Sequence, residues 1–276
     1  MRWLIALLLL AQVSLAEQVT IITWNLKWFP GGGKTSTPAE RIVHMSAAKD
    51  ALMGVSPDVI CAQEIRNWEV FAELASIRPD LVPNVVSAYR DSPQGGAISI
   101  QQIGIASRMP AVGAWSEAFR VAPESPPRGF SFVALQLQDG RHLLVYSVHL
   151  KSNLGDLTEN IARREEAAEQ LVAHAAKMEE AYKPVAATVI CGDFNTDPSK
   201  AQFAEEKTFN ILESAGFIWP WRNTPLAERI TLPSSGRFPD ACFDGFVVKG
   251  DMRVVSCEVL PIDGVSDHRP VKLVLE

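Results

Sequence analysis

The chain has 276 residues, 47% hydrophobic and 21% charged, a balance that can bury a large core and excludes a disordered or collagen-like polymer. Its formal charge of −6 excludes a surface that holds nucleic acid by bulk charge alone, so a phosphate-bearing partner requires a local site such as a bound divalent cation. At about 150 residues per domain the length allows one or two domains.

Arg2, the apolar run Trp3 to Ala11 and the small-residue site Ser14-Leu15-Ala16 predict a secretory leader over residues 1–16, removed to leave one domain over residues 17–276. The expected product is periplasmic or secreted. No later stretch approaches the roughly 20 apolar residues of a membrane span, so no stable membrane insertion is expected.

Val19 to Trp24 is a β-branched, apolar strand running into a Gly-rich loop at Pro30 to Gly33. Thr37-Pro38-Ala39-Glu40 joins a capping box to a Pro at the first helical position, opening a helix that carries Ile42, Val43, Leu52 and Met53. Asp58 to Gln63 is a short buried strand, Asn67 caps a helix through Ile77, and strands follow near Val82 to Tyr89, Ala97 to Ser107 and Ala111 to Glu117. Phe130 to Gln138 and Arg141 to Leu150 flank Asp139-Gly140, a strong hairpin signal. Asp156-Leu157-Thr158-Glu159 opens a long helix ending before Pro184, and Val185 to Cys191 is a continuous apolar strand. A helix over Lys200 to Ala215 ends at Gly216. Phe217 to Asp240 is irregular; there Trp219, Trp221, Arg222, Arg237 and Phe238 either clamp substrate or, as tryptophans in such segments more often do, pin the segment to the core. Cys242 to Val248 and Met252 to Leu260 then read as a hairpin about Lys249-Gly250-Asp251, and Val271 to Leu275 closes the chain. Without linker or repeat this is one domain, and meandering strands with covering helices favour an α/β sandwich of two sheets over a Rossmann fold.

Export makes the cysteines candidates for oxidation. A tight turn centred on Lys249-Gly250 sets Cys242 opposite Cys257, giving either a cross-strand disulfide or two buried thiols, because one residue of slip separates them. Cys61 and Cys191 read as core, and no zinc spacing is present.

Polar residues stand where apolar strands run out, where open α/β folds place ligands: Asn25, Glu64, His149, Asp193 and Asn195. Asp193 and Asn195, two apart, point to the same side of extended backbone. Glu64 with Asp267 or Asp193 offers the carboxylates a hard cation such as Mg²⁺ takes beside phosphate oxygens. His149 and His268 can donate to a phosphate oxygen or move a proton near neutral pH. Asp244, an acid inside an apolar strand, needs a partner, and His268 is the natural one. Arg108 and Lys151 are phosphate candidates or solvated strand-end charges. Gly31-Gly32-Gly33-Lys34-Thr35 lacks the first glycine of a P-loop, since position 28 is Trp28.

The ordered set Thr23-Trp24-Asn25, Gln63-Glu64, Ser107-Arg108, Ser147-Val148-His149-Leu150-Lys151-Ser152, Gly192-Asp193-Phe194-Asn195, Phe243-Asp244-Gly245-Phe246 and Ser266-Asp267-His268-Arg269-Pro270 resembles the endonuclease/exonuclease/phosphatase superfamily, which includes DNase I and exonuclease III. The resemblance implies a four-layer α/β sandwich, two mixed and mostly antiparallel sheets flanked by helices, with residues 17–276 as the catalytic domain. It implies Glu64 as main metal ligand with Asn25 and Asp267 beside it, Mg²⁺ as the ion with Mn²⁺ or Ca²⁺ as alternatives, and in-line attack of water on a phosphoester. In it Asp193 orients the water or shares the metal, Asn195 holds a phosphoryl oxygen, Asp244 braces His268, and His149 contacts phosphate or protonates the leaving group.

The leading expectation is an exported, monomeric, metal-dependent endonuclease acting on nucleic acid. The same chemistry on a lipid or small-molecule phosphoester, sphingomyelinase-like or inositol-phosphatase-like, is the alternative, and a non-catalytic binding module on this fold is a further one.

Overall fold

The computed structural model describes residues 17–92, 95–120, 126–236 and 238–276; the leader assigned to residues 1–16, and Arg237, lie outside them. In chain order the first half holds β1 (Val19–Phe29), α1 (Pro38–Val55), β2 (Val59–Ile65), α2 (Trp68–Ala75), β3 (Val82–Val86), β4 (Arg90–Ser92), β5 (Gly95–Ile98), β6 (Gln102–Ser107) and β7 (Ala111–Ala118). The second half holds β8 (Gly129–Gln136), β9 (His142–His149), α3 (Leu157–Ala181), β10 (Val185–Asp193), α4 (Thr208–Ser214), β11 (Asp244–Gly250), β12 (Val254–Val259) and β13 (Val271–Leu275).

The strands form one sheet of six, in the order β12-β13-β1-β2-β6-β3, one of five, β11-β10-β9-β8-β7, and a separate antiparallel pair, β4-β5. Each of the two large sheets is antiparallel except for one internal pair, β1 with β2 in the first and β9 with β10 in the second. Parallel neighbours end at the same edge, so each pair delivers two strand ends to one place. In the second sheet Asp193 lies in register with His149 on β9 and with Asp244 on antiparallel β11, so three functional side chains start from one row. Between the sheets, Ile21, Val59, Cys61 and Ile105 pack in one core with Phe132, Val145, Val189 and Cys191. The alternate residues Ile22, Trp24 and Ile60 point the other way, into a second core with Met45, Ala48, Leu52, Phe71 and Leu74 of α1 and α2. Helix α3 covers the second sheet through Ala168, Leu171 and Ala175. This is the expected two-sheet sandwich with helices outside, and its strands read as near-continuous apolar runs because both faces are covered.

Local chemistry places the ends of the helices. Thr37 caps α1 with the reciprocal Thr37–Glu40 box, Asn67 caps α2 and Asp156 caps α3. The face of α1 differs from expectation: His44, Met45, Ala48 and Leu52 are buried, whereas Ile42, Val43 and Met53 are 70%, 69% and 50% exposed. The 45–48–52 spacing forms the helical stripe that meets the sheet, and the other apolar residues are rotated off it. The helix expected over Lys200 to Ala215 is a 3₁₀ turn, Ala201–Phe203, followed by α4; between them Glu206 turns inward, and Gly216 terminates the segment with φ +92°.

The cysteine hairpin is not formed. β11 pairs with β10 and β12 with β13, so the two runs belong to different sheets, and Cys242 and Cys257 are free, as are Cys61 and Cys191. The turn residue Gly250 (φ +125°) lies against the start of β10, where a Cβ would meet the Ala186 carbonyl at 2.5 Å, and Asp251 N–H donates to that carbonyl at 2.8 Å. The chain therefore crosses from sheet to sheet there. Trp219 and Trp221 are buried, Trp221 donating to the Cys257 carbonyl at 2.9 Å and Trp219 lying under the Arg229 guanidinium, so the irregular segment is pinned to the core.

Candidate active site

The strand ends meet at one edge of the sandwich. Asn25 Nδ2, from β1, donates to Asp193 Oδ2 of β10 at 2.9 Å and to Glu64 Oε1 of β2 at 3.4 Å, joining the two sheets through one amide. Glu64 Oε2 accepts from Trp28 N–H at 2.9 Å, and Asn25 Oδ1 from Lys27 N–H at 3.0 Å. His149 Nε2 stands 3.5 Å from Asp193 Oδ2 and 3.9 Å from Glu64 Oε1. Asp193 Oδ1 accepts from Asn195 N–H at 2.9 Å, the turn contact that their two-residue spacing allows. Asn195 Nδ2 donates to the Leu150 carbonyl at 3.2 Å, leaving its second amide hydrogen for a ligand. His268 Nδ1 donates to Asp244 Oδ2 at 2.7 Å, the pairing the sequence predicts. Trp24 Nε1 and Ser266 Oγ hold the loop that carries His268, through the His268 carbonyl at 2.9 Å and the Asn25 carbonyl at 2.7 Å.

Backbone strain concentrates here. Six described non-glycine residues have positive φ, and five of them, Lys27, Trp28, Glu64, Arg128 and Asn195, surround this edge. Each such conformation costs on the order of 1–3 kcal/mol and persists only where packing enforces it. Gly192 meets a different demand: at φ +140°, a Cβ would lie 2.0 Å from the Val148 carbonyl, so only glycine lets β10 lie this close to β9 just before Asp193.

Burial shapes the charges. Burial and the charge of Asp244 push the Asp193 carboxyl up to about 7, against the pull of His268 and Asn25. Burial alone would lower His268, but the charge and hydrogen bond of Asp244, with Asp193 and Asp267, outweigh it and raise the imidazole to about 10, so it is a cation at neutral pH. Burial, with the charges of Arg128 and His268, holds His149 well below its ordinary range, so this second imidazole is neutral. Within the buried cluster Glu64 is the most open carboxylate, its side chain 13% exposed against 2% for Asp193 and 0% for Asp244, while Asp267 beside it is 44% exposed.

Asn25, Glu64, His149, Asp193, Asn195, Asp244 and His268 thus share one cluster. Asp267 lies at its rim, its carboxylate 2.9 Å from Lys27 Nζ. Lys151 turns its ammonium onto the carbonyls of Ser152 and Leu154 at 2.9 and 3.1 Å. Arg108 is not brought to the cluster: it pairs with Asp58, which precedes β2, and so stands at the edge opposite Glu64. β6 is antiparallel to β2, and a residue following β6 falls at the wrong end.

The sequence reading missed three supports. Arg128 donates to the carbonyls of His149 and Leu150 at 2.8 and 3.0 Å, and its charge faces Glu64 and Asp193. Lys27 bridges the β1 end to Asp267. Thr231 Oγ1, from the irregular segment, accepts from Phe243 and Asp244 N–H at 3.0 and 3.1 Å and so fixes the start of β11.

A donor set of carboxylates and an amide, without thiolate, suits a hard divalent cation such as Mg²⁺. The tightest group among the described residues is Asp193, Asp244 and His268, with ligand atoms within 4.8 Å of one another; there the His268–Asp244 ion pair already uses the imidazole Nδ1. The solvent-facing Glu64 carboxylate is the better placed to meet a hydrated ion. Asn25 presents its Nδ2 to the carboxylates and its Oδ1 to Lys27 N–H, so as oriented it braces Glu64 against Asp193.

Fold and cluster together define a DNase I-like α/β sandwich with a phosphoesterase-type centre at the sheet edge. The chain belongs to the endonuclease/exonuclease/phosphatase family, whose model matches residues 22–268. Among solved structures it resembles the endonuclease/exonuclease/phosphatase family protein from Bacteroides thetaiotaomicron, with TM-score 0.69, 16% identity and coverage of 94% of this chain and 95% of that one. It also resembles D. rerio TDP2 complexed with single strand DNA product, with TM-score 0.67, 16% identity and coverage of 94% and 99%. A third is the endonuclease/exonuclease/phosphatase from Beutenbergia cavernae, with TM-score 0.65, 18% identity and coverage of 94% and 71%. No curated protein matches the chain in sequence. At these identities the likeness shows the shared fold.

Proposed function

We propose that this chain is a divalent-metal-dependent phosphodiesterase that cuts nucleic acid as an endonuclease. The observation that carries the reading is the convergence of Glu64, Asp193, Asn195, His149 and the Asp244–His268 pair at one strained, buried edge, with Glu64 its most open carboxylate and Asp267 at the rim. Glu64, with Asp267 at the rim, would hold Mg²⁺, and Asn25 would keep Glu64 aligned. Bound there, the ion supplies charge neutralisation on the phosphoryl and leaving oxygens. Asp193 orients the attacking water, the spare amide hydrogen of Asn195 takes a phosphoryl oxygen, and cationic His268, held by Asp244, faces the same charge. Neutral His149 donates a hydrogen bond to a phosphoryl oxygen, and cationic His268 is the imidazole that carries a proton for the leaving oxygen.

The substrate class is supported by the D. rerio TDP2 neighbour, which was solved with single strand DNA product. No helix among the described residues is long and apolar enough to cross a membrane. Export by the segment 1–16 and action as a monomer are part of the proposal; the N-terminal sequence of the protein recovered from its host, and its sedimentation, test them. The test of the activity is the opening of circular DNA, supercoiled and single-stranded, in Mg²⁺ or in EDTA. Metal-dependent opening is expected, and intact circles in Mg²⁺ contradict the assignment to nucleic acid.

A further inference from the structure

The Asp244–His268 pair joins two separate parts of the fold. Asp244 opens β11 of the five-stranded sheet, whereas His268 lies in the loop before β13 of the six-stranded one. A misplacement of about 1 Å between groups that must act together can cost about a hundredfold in rate. The carboxylate has no second brace of its own: Asp244 Oδ1 is buried and has no hydrogen-bond partner among the described residues. It is therefore the backbone that aims Oδ2 at the imidazole.

One residue of the irregular segment holds that backbone on both sides of the pair. Thr231 is fully buried, and its Oγ1 accepts from the N–H groups of Phe243 and Asp244 at 3.0 and 3.1 Å. Its carbonyl accepts from the N–H of Arg269, the residue after His268, at 2.7 Å. The side chain thus binds the start of β11 and the main chain binds the His268 loop. Thr231 is itself anchored. Two residues earlier, Arg229 donates to Asp197 Oδ1 at 3.2 Å and to Ser199 Oγ at 2.9 Å, while Asp197 Oδ2 accepts from Cys242 N–H at 3.4 Å. This ion pair, with side-chain exposures of 3% and 0%, fastens the segment to the loop that follows Asn195. On the other side Leu232 and Ala241 exchange main-chain hydrogen bonds, both at 2.9 Å.

Resting on the phosphodiesterase reading, we propose that Thr231 is a positioning residue of the reaction: its hydroxyl sets Asp244 where the carboxylate aligns His268 with the leaving oxygen, and its carbonyl fixes the His268 loop. Asp244 takes Nδ1 of the imidazole and leaves Nε2 for the substrate. In the reaction so arranged the water oxygen bonds to phosphorus, the bond from phosphorus to the leaving oxygen breaks, and the proton on Nε2 passes to that oxygen. The proton shed by the attacking water goes to solvent, from which the imidazole is recharged. Thr231 touches none of the reacting atoms, so its effect is confined to substrates whose leaving group needs that proton.

The test measures kcat and KM in Mg²⁺ on two phosphodiesters: an oligonucleotide, whose leaving alkoxide needs a proton, and bis(p-nitrophenyl) phosphate, whose nitrophenolate leaves without one. Thr231→Val, which nearly keeps the volume and removes the acceptor, should lower kcat on the oligonucleotide about tenfold to a hundredfold with KM within about twofold, and change kcat on the nitrophenyl ester by less than about threefold. Thr231→Ser, which returns the oxygen, should recover most of the loss. If Thr231→Val does not fold, Thr231→Cys reads the same ratio, because sulfur is a weak acceptor. Equal losses on the two substrates overturn the proposal, as does a Thr231→Val protein as fast as the wild type on the oligonucleotide. Folded wild-type protein that cleaves neither ester in Mg²⁺ removes the phosphodiesterase reading itself.

Discussion

Arg164 of α3 and Glu206 form an ion pair with side-chain exposures of 0% and 2%, and removal of the acid has a calculable cost. The Glu206 carboxylate accepts from Arg164 Nε at 2.8 Å, from its terminal nitrogen at 2.7 Å and from Thr208 Oγ1 at 2.7 Å. Glu206→Ala leaves a guanidinium buried without its counter-charge, a defect worth about 3–5 kcal/mol. Against a typical total of about 5–15 kcal/mol this is a large fraction of the stability. With about 2–4 °C of Tm per kcal/mol at this chain length, the expected fall is roughly 6–20 °C by calorimetry, with a matching shift of the urea midpoint. The double variant Arg164→Met with Glu206→Leu should recover most of the loss, because no charge remains to be buried. The second terminal nitrogen of Arg164 also holds the Lys151 carbonyl at 2.9 Å and Asn153 Oδ1 at 3.0 Å, the loop that follows His149. Glu206→Ala should therefore slow turnover at temperatures where the protein is still folded. A loss below about 1 kcal/mol, or a double variant as unstable as the single one, would refute the reasoning.

Three further outcomes follow from the geometry. Asp244→Asn should return the His268 imidazole from about 10 toward its ordinary 6.5, followed by NMR in EDTA. A raised folded-state value stabilises fully below pH 6.5 and is lost as pH rises through about 10, so the variant should lose stability chiefly at neutral and acid pH; an unchanged titration breaks the pairing. Gly192→Ala, whose new methyl meets the Val148 carbonyl at 2.0 Å, should cost more than about 1 kcal/mol and displace Asp193 from His149; wild-type melting and turnover would contradict the close approach. Thiol titration in guanidinium without reductant should find all four cysteines free, whereas two would restore the bridge between Cys242 and Cys257.

The sequence carried much of this centre because Asn25, Glu64, His149 and Asp193 stand where continuous apolar runs give way to polar residues, and the parallel pairs bring those places together. The same local rule misplaced Arg108, since it contains no information about strand direction, and β6 runs against β2. The cysteine hairpin failed for a related reason. A turn and two β-like runs look alike whether the strands pair or, as at Gly250, pass into different sheets. Arg128 and Thr231 act on backbone carbonyls and amides, and Arg164 on the Glu206 side chain, each across more than ten residues of chain, and such contacts leave no periodic trace. The exposed face of α1 shows the converse, an apolar residue set whose rotation about the helix was decided by Met45, Ala48 and Leu52.

The most direct measurement of the central claim is turnover on circular DNA by the wild-type protein and by Glu64→Ala in Mg²⁺, each with its melting curve, beside the wild-type protein in EDTA. Opening of circles by the wild-type protein alone, with the variant folded and EDTA arresting the reaction, is the predicted result. Undiminished turnover in Glu64→Ala, or in EDTA, would contradict a metal-dependent centre built on Glu64.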